Sequence, residues 1–304
     1  MSAYSLEIKP TNQPSILKFE FNEFLTPQKG YEFHNIEEAA NSPIASQLFY
    51  LPFVKTVYIS QNFIAIEKYN IIEWTEVQDE VAEQLLNHLN QGGKIVNEEE
   101  EKATKKVPVT VYAESTPNPS VMKFVANKKL VLESAEFKSI DDAERSPLAQ
   151  KLFHFPFVKE VFMDENYISV HKYDMAEWDM ITNELRGFIK SYIEEGGPIL
   201  KTGSVKAETT STEESTAKID TSNLDDVSKE IVQILEEYVK PAVASDGGNI
   251  VFKSYNADSK DVEVILQGAC SGCPSSTMTL KNGIETMLKE MLQGKINQVV
   301  AYNG

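Results

Sequence analysis

The sequence predicts an α+β protein in which two copies of a small α/β sandwich domain precede a third domain with the element order αββαβ. Three observations predict this class. Residues 1–200 contain a tandem repeat, residues 224–304 do not resemble it, and the segment between them is polar and poor in large apolar side chains. A chain of 304 residues is long enough for two or three domains of ordinary size.

The repeat is visible by direct comparison of the two copies. "TNQPSILKF" at Thr11–Phe19 returns as "TPNPSVMKF" at Thr116–Phe124, and the stretch that begins with "SPIASQLF" at Ser42 returns from Ser146. From Ser42 to Gly93, 19 of 52 positions are identical in the second copy. Similarity of this length indicates a tandem duplication.

Each copy has the same predicted elements. A strand ("ILKFEF" or "VMKFVA") and a second extended segment come first, and a helix of about ten residues follows, in which the Pro of "SP" starts a new first turn. Alternating β-branched and aromatic residues then predict a hairpin, which turns at Asp164–Asn166 in the second copy. An amphipathic helix that contains Trp74 or Trp178 in its core face closes each copy at a double glycine.

Two segments are predicted to be flexible linkers. One has an acidic run followed by lysines, and the other is rich in Ser, Thr, Glu and Lys and cannot form a core. The predicted division is therefore a first repeat, a linker, a second repeat, a second linker and a C-terminal domain, at residues 1–93, 94–108, 109–200, 201–223 and 224–304.

The C-terminal domain begins with an amphipathic helix near Leu224, which Pro241 ends or bends. A hairpin that turns around Asp258–Lys260 comes next, followed by a loop with two cysteines, a second helix and a short strand, "INQVVAY". Met278 is predicted to be a core residue of the second helix.

The charge and the N-terminus exclude several classes of protein. A net charge of −17 opposes binding to nucleic acid or to an anionic membrane, because both need clustered Lys and Arg. No apolar run approaches the length of a membrane span, and the N-terminal residues have neither a secretory nor a transit-peptide pattern. We therefore expect a cytoplasmic protein.

Cys270 and Cys273 are the only cysteines of the chain, in the stretch "GACSGCPSSTMTL". Pro274 suits the first position of a helix, so the positive end of that helix is expected to face both sulfurs and to favour thiolate over thiol. Gly268 and Gly272 allow backbone with positive φ, which lets the two sulfurs converge on one object. The turn Asp246–Gly248 is expected either to lie near this loop or to serve the chain reversal alone.

Three kinds of chemistry fit two such thiols. Dithiol–disulfide exchange is one, although no proline follows Pro274, and a thioredoxin-like site requires a later cis-proline facing the thiols. Zinc and iron–sulfur clusters are the others, and both take four protein ligands. All four histidines lie in the repeats and are expected to be surface or half-buried side chains (His34, His88, His154 and His171). One chain therefore supplies half of a metal site, and a second chain related by a two-fold axis could supply the other half.

The C-terminal domain resembles that of the NifU family, the Nfu-type iron–sulfur cluster carriers, through "DGGNI" and "GACSGCPSSTMTLKNGIE". Each repeat is similar to the Nfu N-terminal domain through "TPNPSVMKF", "SPLAQKLF", "FPFVKEVF" and the Trp-containing helix. The chain departs from that pattern at Phe53 and Phe157, where the family usually has Gly, in the "TNQP" of the first copy, and in having two N-terminal domains.

This resemblance implies a carrier rather than an enzyme. Cys270 and Cys273 of each of two chains would hold a bridging [4Fe–4S] cluster, which passes to apo iron–sulfur proteins after delivery by an upstream assembly machinery. The implied assembly is a homodimer through the C-terminal domain. The repeats carry no acid–base or thiol chemistry of their own and are expected to recognise partners or to regulate. A dithiol oxidoreductase and a zinc-bridged structural adaptor remain the alternatives.

Overall fold

A computed structural model describes residues 3–97, 108–201, 224–271 and 274–304. The chain forms two compact units, Met1–Pro108 and Val109–Gly304, and each is considered by itself. The second unit contains both the second repeat and the C-terminal domain. Nearly all of the predicted linker 201–223, and residues 98–107 of the first linker, lie outside the described residues. The division into five segments stays a proposal.

The first repeat is a five-stranded antiparallel sheet with two α-helices on one face. The order of its strands across the sheet is β1-β2-β5-β4-β3. The strands are β1 (Leu6–Pro10), β2 (Ile16–Phe21), β3 (Thr26–Phe33), β4 (Val54–Gln61) and β5 (Phe63–Lys68), and the helices are α1 (Pro43–Leu48) and α2 (Trp74–Asn90).

The second repeat has the same topology, with the strand order β6-β7-β10-β9-β8. Its strands are β6 (Val111–Ser115), β7 (Val121–Ala126), β8 (Ala135–Phe137), β9 (Val158–Asp164) and β10 (Tyr167–Lys172), and its helices are α3 (Pro147–Leu152) and α4 (Trp178–Glu194). The edge strands β1 and β6 were not predicted, because they have only five residues each.

The helix predicted before the hairpin is divided in two in both copies. A short 3-10 turn comes first (Glu38–Asn41 or Asp142–Arg145), and the α-helix starts at the proline, as the sequence predicted. Ser42 and Ser146 cap these helices, since each hydroxyl accepts a hydrogen bond from the backbone N–H three residues later. Proline fits here because the first helical N–H has no partner within the helix.

The inner face of each sheet packs on the helices and forms the core. Phe19 and Phe124 are completely buried at equivalent positions of β2 and β7. Trp74 is buried against Phe53, and Trp178 is half-buried at the edge of its core, with its indole N–H donating to the Pro119 carbonyl at 2.8 Å. Trp74 thus belongs to its core, as predicted, whereas Trp178 packs against its core from the edge.

The C-terminal domain confirms the predicted order αββαβ. Its elements are α5 (Asp226–Ile234), α6 (Lys240–Ser245), β11 (Gly248–Asn256), β12 (Asp261–Gly268), α7 (Pro274–Met291) and β13 (Gln298–Asn303). Strands β11 and β12 form a hairpin, and β13 pairs parallel to β12 after the α7 crossover. The molecule is therefore a mixed α+β protein, as the sequence predicted.

A wide π-helical turn, Leu235–Val239, joins α5 to α6. It ends two residues before Pro241, which has no backbone N–H to donate and whose ring conflicts with the carbonyl four residues earlier. Widening the preceding turn accommodates this conflict, so the helix continues past the proline instead of ending there. In the described part of the chain, no helix is both long and apolar enough to cross a membrane.

Candidate functional site

The loop with the cysteines connects the end of β12 to the start of α7, as the sequence predicted. Gly268, the last residue of β12, has a φ of 63°. A Cβ atom there would lie 2.7 Å from the Phe162 ring, so both the backbone angle and the space require glycine. Cys273 and Gly272 lie outside the described residues.

Cys270 is buried, with 7% of its surface exposed, and it packs in the core of the C-terminal domain. Gly248 lies beside the Cys270 sulfur, since an added Cβ atom at Gly248 would lie 2.6 Å from it. The loop is also tied to the same turn by the Ala269 N–H, which donates to the Gly247 carbonyl at 3.1 Å. The turn Asp246–Gly248 therefore lies against the cysteine loop. The Cys270 sulfur fits beside this turn because Gly248 has no side chain.

Burial raises the pKa of the Cys270 thiol to about 12, and the carboxylate of Asp246 acts in the same direction. This result contradicts the expectation that the start of α7 would favour a thiolate at this position. Loss of hydration destabilises the charged sulfur, and a nearby negative charge adds to that effect. A metal that binds here must displace the thiol proton, because the thiolate is the ligand.

The second repeat contacts the cysteine loop directly. The buried Asn118 side chain donates through Nδ2 to the carbonyls of Ala269 and Ser271, at 3.3 and 3.4 Å. The Glu136 carboxylate accepts a hydrogen bond from the Gly268 N–H at 2.8 Å. Side chains of another domain thus hold Ala269 and Ser271, which flank Cys270, and Gly268, the last residue of β12.

These contacts were not predicted from the sequence. The repeat was recognised from positions that are identical in the two copies. Asn118 is not one of them, because the first copy has Gln13 at that position. Positions that differ between two otherwise similar copies are a signal that could have found Asn118, but not Glu136, since Glu32 stands at its position in the first copy.

The remaining potential ligands lie elsewhere. His34 and His154 are exposed, and His88 and His171 are half-buried, as predicted. His171 contacts the Glu160 carboxylate at 3.2 Å on the sheet of the second repeat. Among the residues that the structure describes, no three His, Cys, Asp or Glu side chains come close enough together to hold a metal ion.

The prediction that Met278 belongs to the core is wrong, since 60% of its surface is exposed. The buried residues of α7 include Ile284 and Leu288. Met278 lies six residues before Ile284, and at about 100° per residue this spacing puts it on a different side of the helix.

Comparison with known proteins identifies the parts of the chain. Residues 6–92 and 111–196 both match the family model described as scaffold protein Nfu/NifU N terminal. Residues 231–300, which include the cysteine loop, match the model described as NifU-like domain.

Curated relatives match over part of their length. NifU-like protein 4, mitochondrial, of Arabidopsis thaliana is 35% identical over 182 residues, which are 59% of this chain and 61% of the relative. NFU1 iron-sulfur cluster scaffold homolog, mitochondrial, of Drosophila willistoni is 35% identical over 181 residues, which are 59% of each chain. The chain thus spans about three fifths of the length of these relatives. A solution NMR structure of a NifU-like protein from Saccharomyces cerevisiae covers 32% of this chain and 87% of its own, with 25% identity and a TM-score of 0.29.

Proposed function

Since the chain belongs to the Nfu/NifU scaffold family, we propose that it is an iron–sulfur cluster carrier, which holds a [4Fe–4S] cluster between two chains and transfers it to apo-proteins. The cluster is cargo, and the chain acts on it by ligation rather than as an enzyme. Both quoted relatives carry names of NifU-like or iron–sulfur scaffold proteins, which supports a role with iron–sulfur clusters.

The observation that carries the proposal is the position of Cys270. It is the one described thiol, it lies where β12 meets α7, and this junction falls within the segment that matches the NifU-like domain. Thiolates are the protein ligands of iron–sulfur clusters, and four are the usual number. With two cysteines per chain, the ligand set is completed by Cys270 and Cys273 of a second chain.

Gly248 accommodates the Cys270 sulfur, because a Cβ atom at that position would lie 2.6 Å from it. Two thiolates per chain also suit transfer, because an acceptor can replace one sulfur at a time while the others retain the cargo. Opening of the dimer would then lower the number of retaining ligands.

The partners follow from the same chemistry. They are an upstream assembly machinery that supplies the cluster, apo iron–sulfur proteins that accept it, and a second copy of this chain, which joins through the C-terminal domain. The two repeats serve recognition or regulation. Neither nucleic acid nor a membrane is a proposed partner of a chain with a net charge of −17.

Anaerobic reconstitution with iron and sulfide tests the proposal. We expect about two Fe and two sulfide per chain, broad visible absorption, and a doubling of the mass in analytical ultracentrifugation. Stoichiometric zinc in a colourless protein would support the adaptor instead. A reversible disulfide with reductase activity would support the oxidoreductase.

Cys270→Ser and Cys273→Ser are each expected to abolish cluster binding and the doubling of mass, while circular dichroism of the repeats stays unchanged. Met278→Leu is the matched control, because it changes an exposed side chain of α7, the helix that follows the cysteines, and is expected to retain the cluster. Full iron and sulfide content in either serine variant would contradict the proposed ligand set.

The location is a separate proposal. We propose a cytoplasmic location, whereas the two quoted relatives are named as mitochondrial. Fractionation of the source cells, followed by immunodetection, distinguishes the two compartments.

A further inference from the structure

The outer face of the second repeat's sheet is packed against the C-terminal domain. This face points away from α3 and α4, and it carries alternate residues of β7, β9 and β10. Two of its side chains reach the turn beside Cys270. The Tyr167 hydroxyl donates to the Gly248 carbonyl at 2.8 Å, and the Ser169 hydroxyl donates to the Gly247 carbonyl at 2.6 Å.

Apolar contacts accompany these hydrogen bonds. Val125, Phe162 and Tyr167 are buried together, and Ala244 at the end of α6 packs against them. The ring of Phe162 also lies against Gly268. Lys123, whose ammonium group lies 4.7 Å from the centre of the Tyr167 ring, donates to the Ser245 carbonyl at 3.2 Å.

Most hydrogen bonds of this contact use main-chain groups of the C-terminal domain, and the exception is the Asn249 side chain, whose Nδ2 donates to the Ser134 hydroxyl at 3.1 Å. The carbonyls of Ser245, Gly247, Gly248, Ala269 and Ser271 accept, and the Gly268 N–H donates. The second repeat contributes the side chains. The residues that decide whether this contact forms therefore lie mainly in the repeat.

The first repeat provides an internal comparison, because its sheet has the same register. Phe63 pairs with Glu20 in β5 and β2, and Tyr167 pairs with Val125 in β10 and β7. A lysine covers the aromatic ring in both copies, at 4.6 Å for Lys18 over Phe63. The frameworks of the two outer faces are therefore alike.

Some side chains of the contact are kept in the first repeat, with Lys18 for Lys123 and Glu32 for Glu136, but others differ. The first repeat has Phe63 for Tyr167 and Ala65 for Ser169, so both hydroxyl donors are missing. It also has Glu20 for Val125, and the Glu20 carboxylate is paired with Lys9 and Lys18 at 3.3 and 2.8 Å. A carboxylate in the middle of the face opposes burial against another domain, because desolvation of a charge is costly.

We propose that the second repeat is a cover for the cysteine loop, which controls access to Cys270, and that the first repeat has lost or never acquired the residues for this role. The contact consists of a few side-chain hydrogen bonds to main chain around a small apolar centre, which suits a reversible interface within one chain. Only the consequence for the cluster rests on the proposed function: a second chain reaches Cys270 when the cover leaves.

The experiment measures the reactivity of Cys270 in the metal-free full chain. A Cys273→Ser background makes Cys270 the one thiol, and a maleimide is the probe. The test variant combines Val125→Glu, Tyr167→Phe and Ser169→Ala, which gives the second repeat the residues of the first. We expect the sheet to tolerate them, since the first repeat carries these residues at the same positions, although Glu114 stands where the first repeat has Lys9.

Two lost hydrogen bonds and a carboxylate placed in the contact are expected to raise the rate of alkylation at least about tenfold. The matched control makes the reverse changes in the first repeat, Glu20→Val, Phe63→Tyr and Ala65→Ser, and is expected to leave the rate unchanged. An unchanged rate in the test variant, with native circular dichroism, would overturn the proposal.

Hydrogen exchange separates opening of the cover from unfolding of the C-terminal domain. In the test variant, the Gly268 amide, which donates to Glu136, is expected to exchange faster, whereas the Val264 amide inside β12 keeps its protection. Equal acceleration of both amides would mean unfolding of the domain and would contradict a cover. Neither measurement involves iron, so these results are independent of whether the wild-type chain binds a cluster.

Discussion

Gly248 is the residue on which the surroundings of Cys270 most directly depend. An added Cβ atom would lie 2.6 Å from the Cys270 sulfur and 2.6 Å from the Gln267 carbonyl oxygen. Both neighbours are held in place, one in the core and one in β12. A side chain at this position therefore displaces the loop rather than a flexible group.

We expect Gly248→Ala to lower the free energy of unfolding of the C-terminal domain by about 1–3 kcal/mol, because overpacking at a buried site costs this much. Gly283→Ala is the control. Gly283 lies within α7, and an added Cβ atom meets no other atom within 4 Å. Replacement there is expected to stabilise by about 0.5–1 kcal/mol, since alanine favours helix. Urea unfolding followed by circular dichroism measures both changes, and equal effects would contradict the steric argument.

Asp164 is a titratable residue of the contact between the second repeat and the C-terminal domain. Burial raises the pKa of its carboxyl group to about 6, the Glu165 carboxylate adds to this rise, and the Lys240 ammonium group opposes it. The Tyr167 hydroxyl lies 3.4 Å from the carboxylate. A carboxyl group with a higher pKa in the folded than in the unfolded chain weakens the fold as pH rises above about 4, and the cost becomes constant above pH 6.

Asp164→Asn is therefore expected to raise the free energy of unfolding by about 2 kcal/mol at pH 7 and by much less at pH 4, where the carboxyl group is largely protonated in the folded chain. Urea unfolding at both values of pH measures this difference. Fluorescence of Trp178 in a Trp74→Phe background reports on the second repeat. Asp141→Asn, at an exposed position of the same repeat, is the control, and an equal gain at pH 4 and pH 7 would contradict the assignment.

At the scale of the element, the duplication allows one capping arrangement to be measured twice. The hydroxyl of Ser42 accepts from the Ala45 N–H at 3.3 Å and donates to the Ile95 carbonyl at 2.6 Å. The hydroxyl of Ser146 makes the equivalent bonds to Ala149 and Ile199, at 3.1 and 2.8 Å. Each serine thus caps a helix and fastens the chain that follows the last helix of its repeat.

Ser42→Ala and Ser146→Ala are each expected to cost about 1–2 kcal/mol in the unfolding of their own repeat, because a buried cap and a buried acceptor both lose their partner. Trp74 and Trp178 report on the first and second repeats, respectively, when the other tryptophan is replaced by phenylalanine. Ser191→Ala, at an exposed position of α4, is expected to leave stability within about 0.5 kcal/mol. A cost that is absent in one repeat would show that the two caps are not equivalent.

The helices also illustrate how far local pattern reaches. Periodicity predicted where α7 lies, but the direction in which Met278 points depends on where the sheet lies, and the prediction of a core residue was wrong. Pro241 was expected to end or bend its helix, and the π-helical turn before it keeps the chain helical through α6. A proline alone predicts that one hydrogen bond of the helix is lost. Whether the helix nevertheless continues depends on the shape of the turn before the proline.

At the scale of the whole molecule, the two repeats share a fold but not a surface. Their cores keep equivalent buried residues, such as Phe19 and Phe124, and their outer faces differ in charge and in hydroxyl donors. Duplication thus retained the sheet and its helices while changing what the outer face can bind. The proposed carrier combines one thiol-bearing domain with one repeat suited to cover it and another that is not.

The amino-acid sequence by itself determined the duplication, the type and order of most elements, the family, and the shortage of metal ligands within one chain. These properties depend on periodicity, on turn residues and on counts, all of which are local or additive. Only the tertiary structure decided that Cys270 is buried, that its pKa is raised rather than lowered, and that Asn118 and Glu136 hold its loop. Asn118 and Ala269 are 151 positions apart in the sequence. No local pattern predicts their contact, because it forms only when two complete domains pack together.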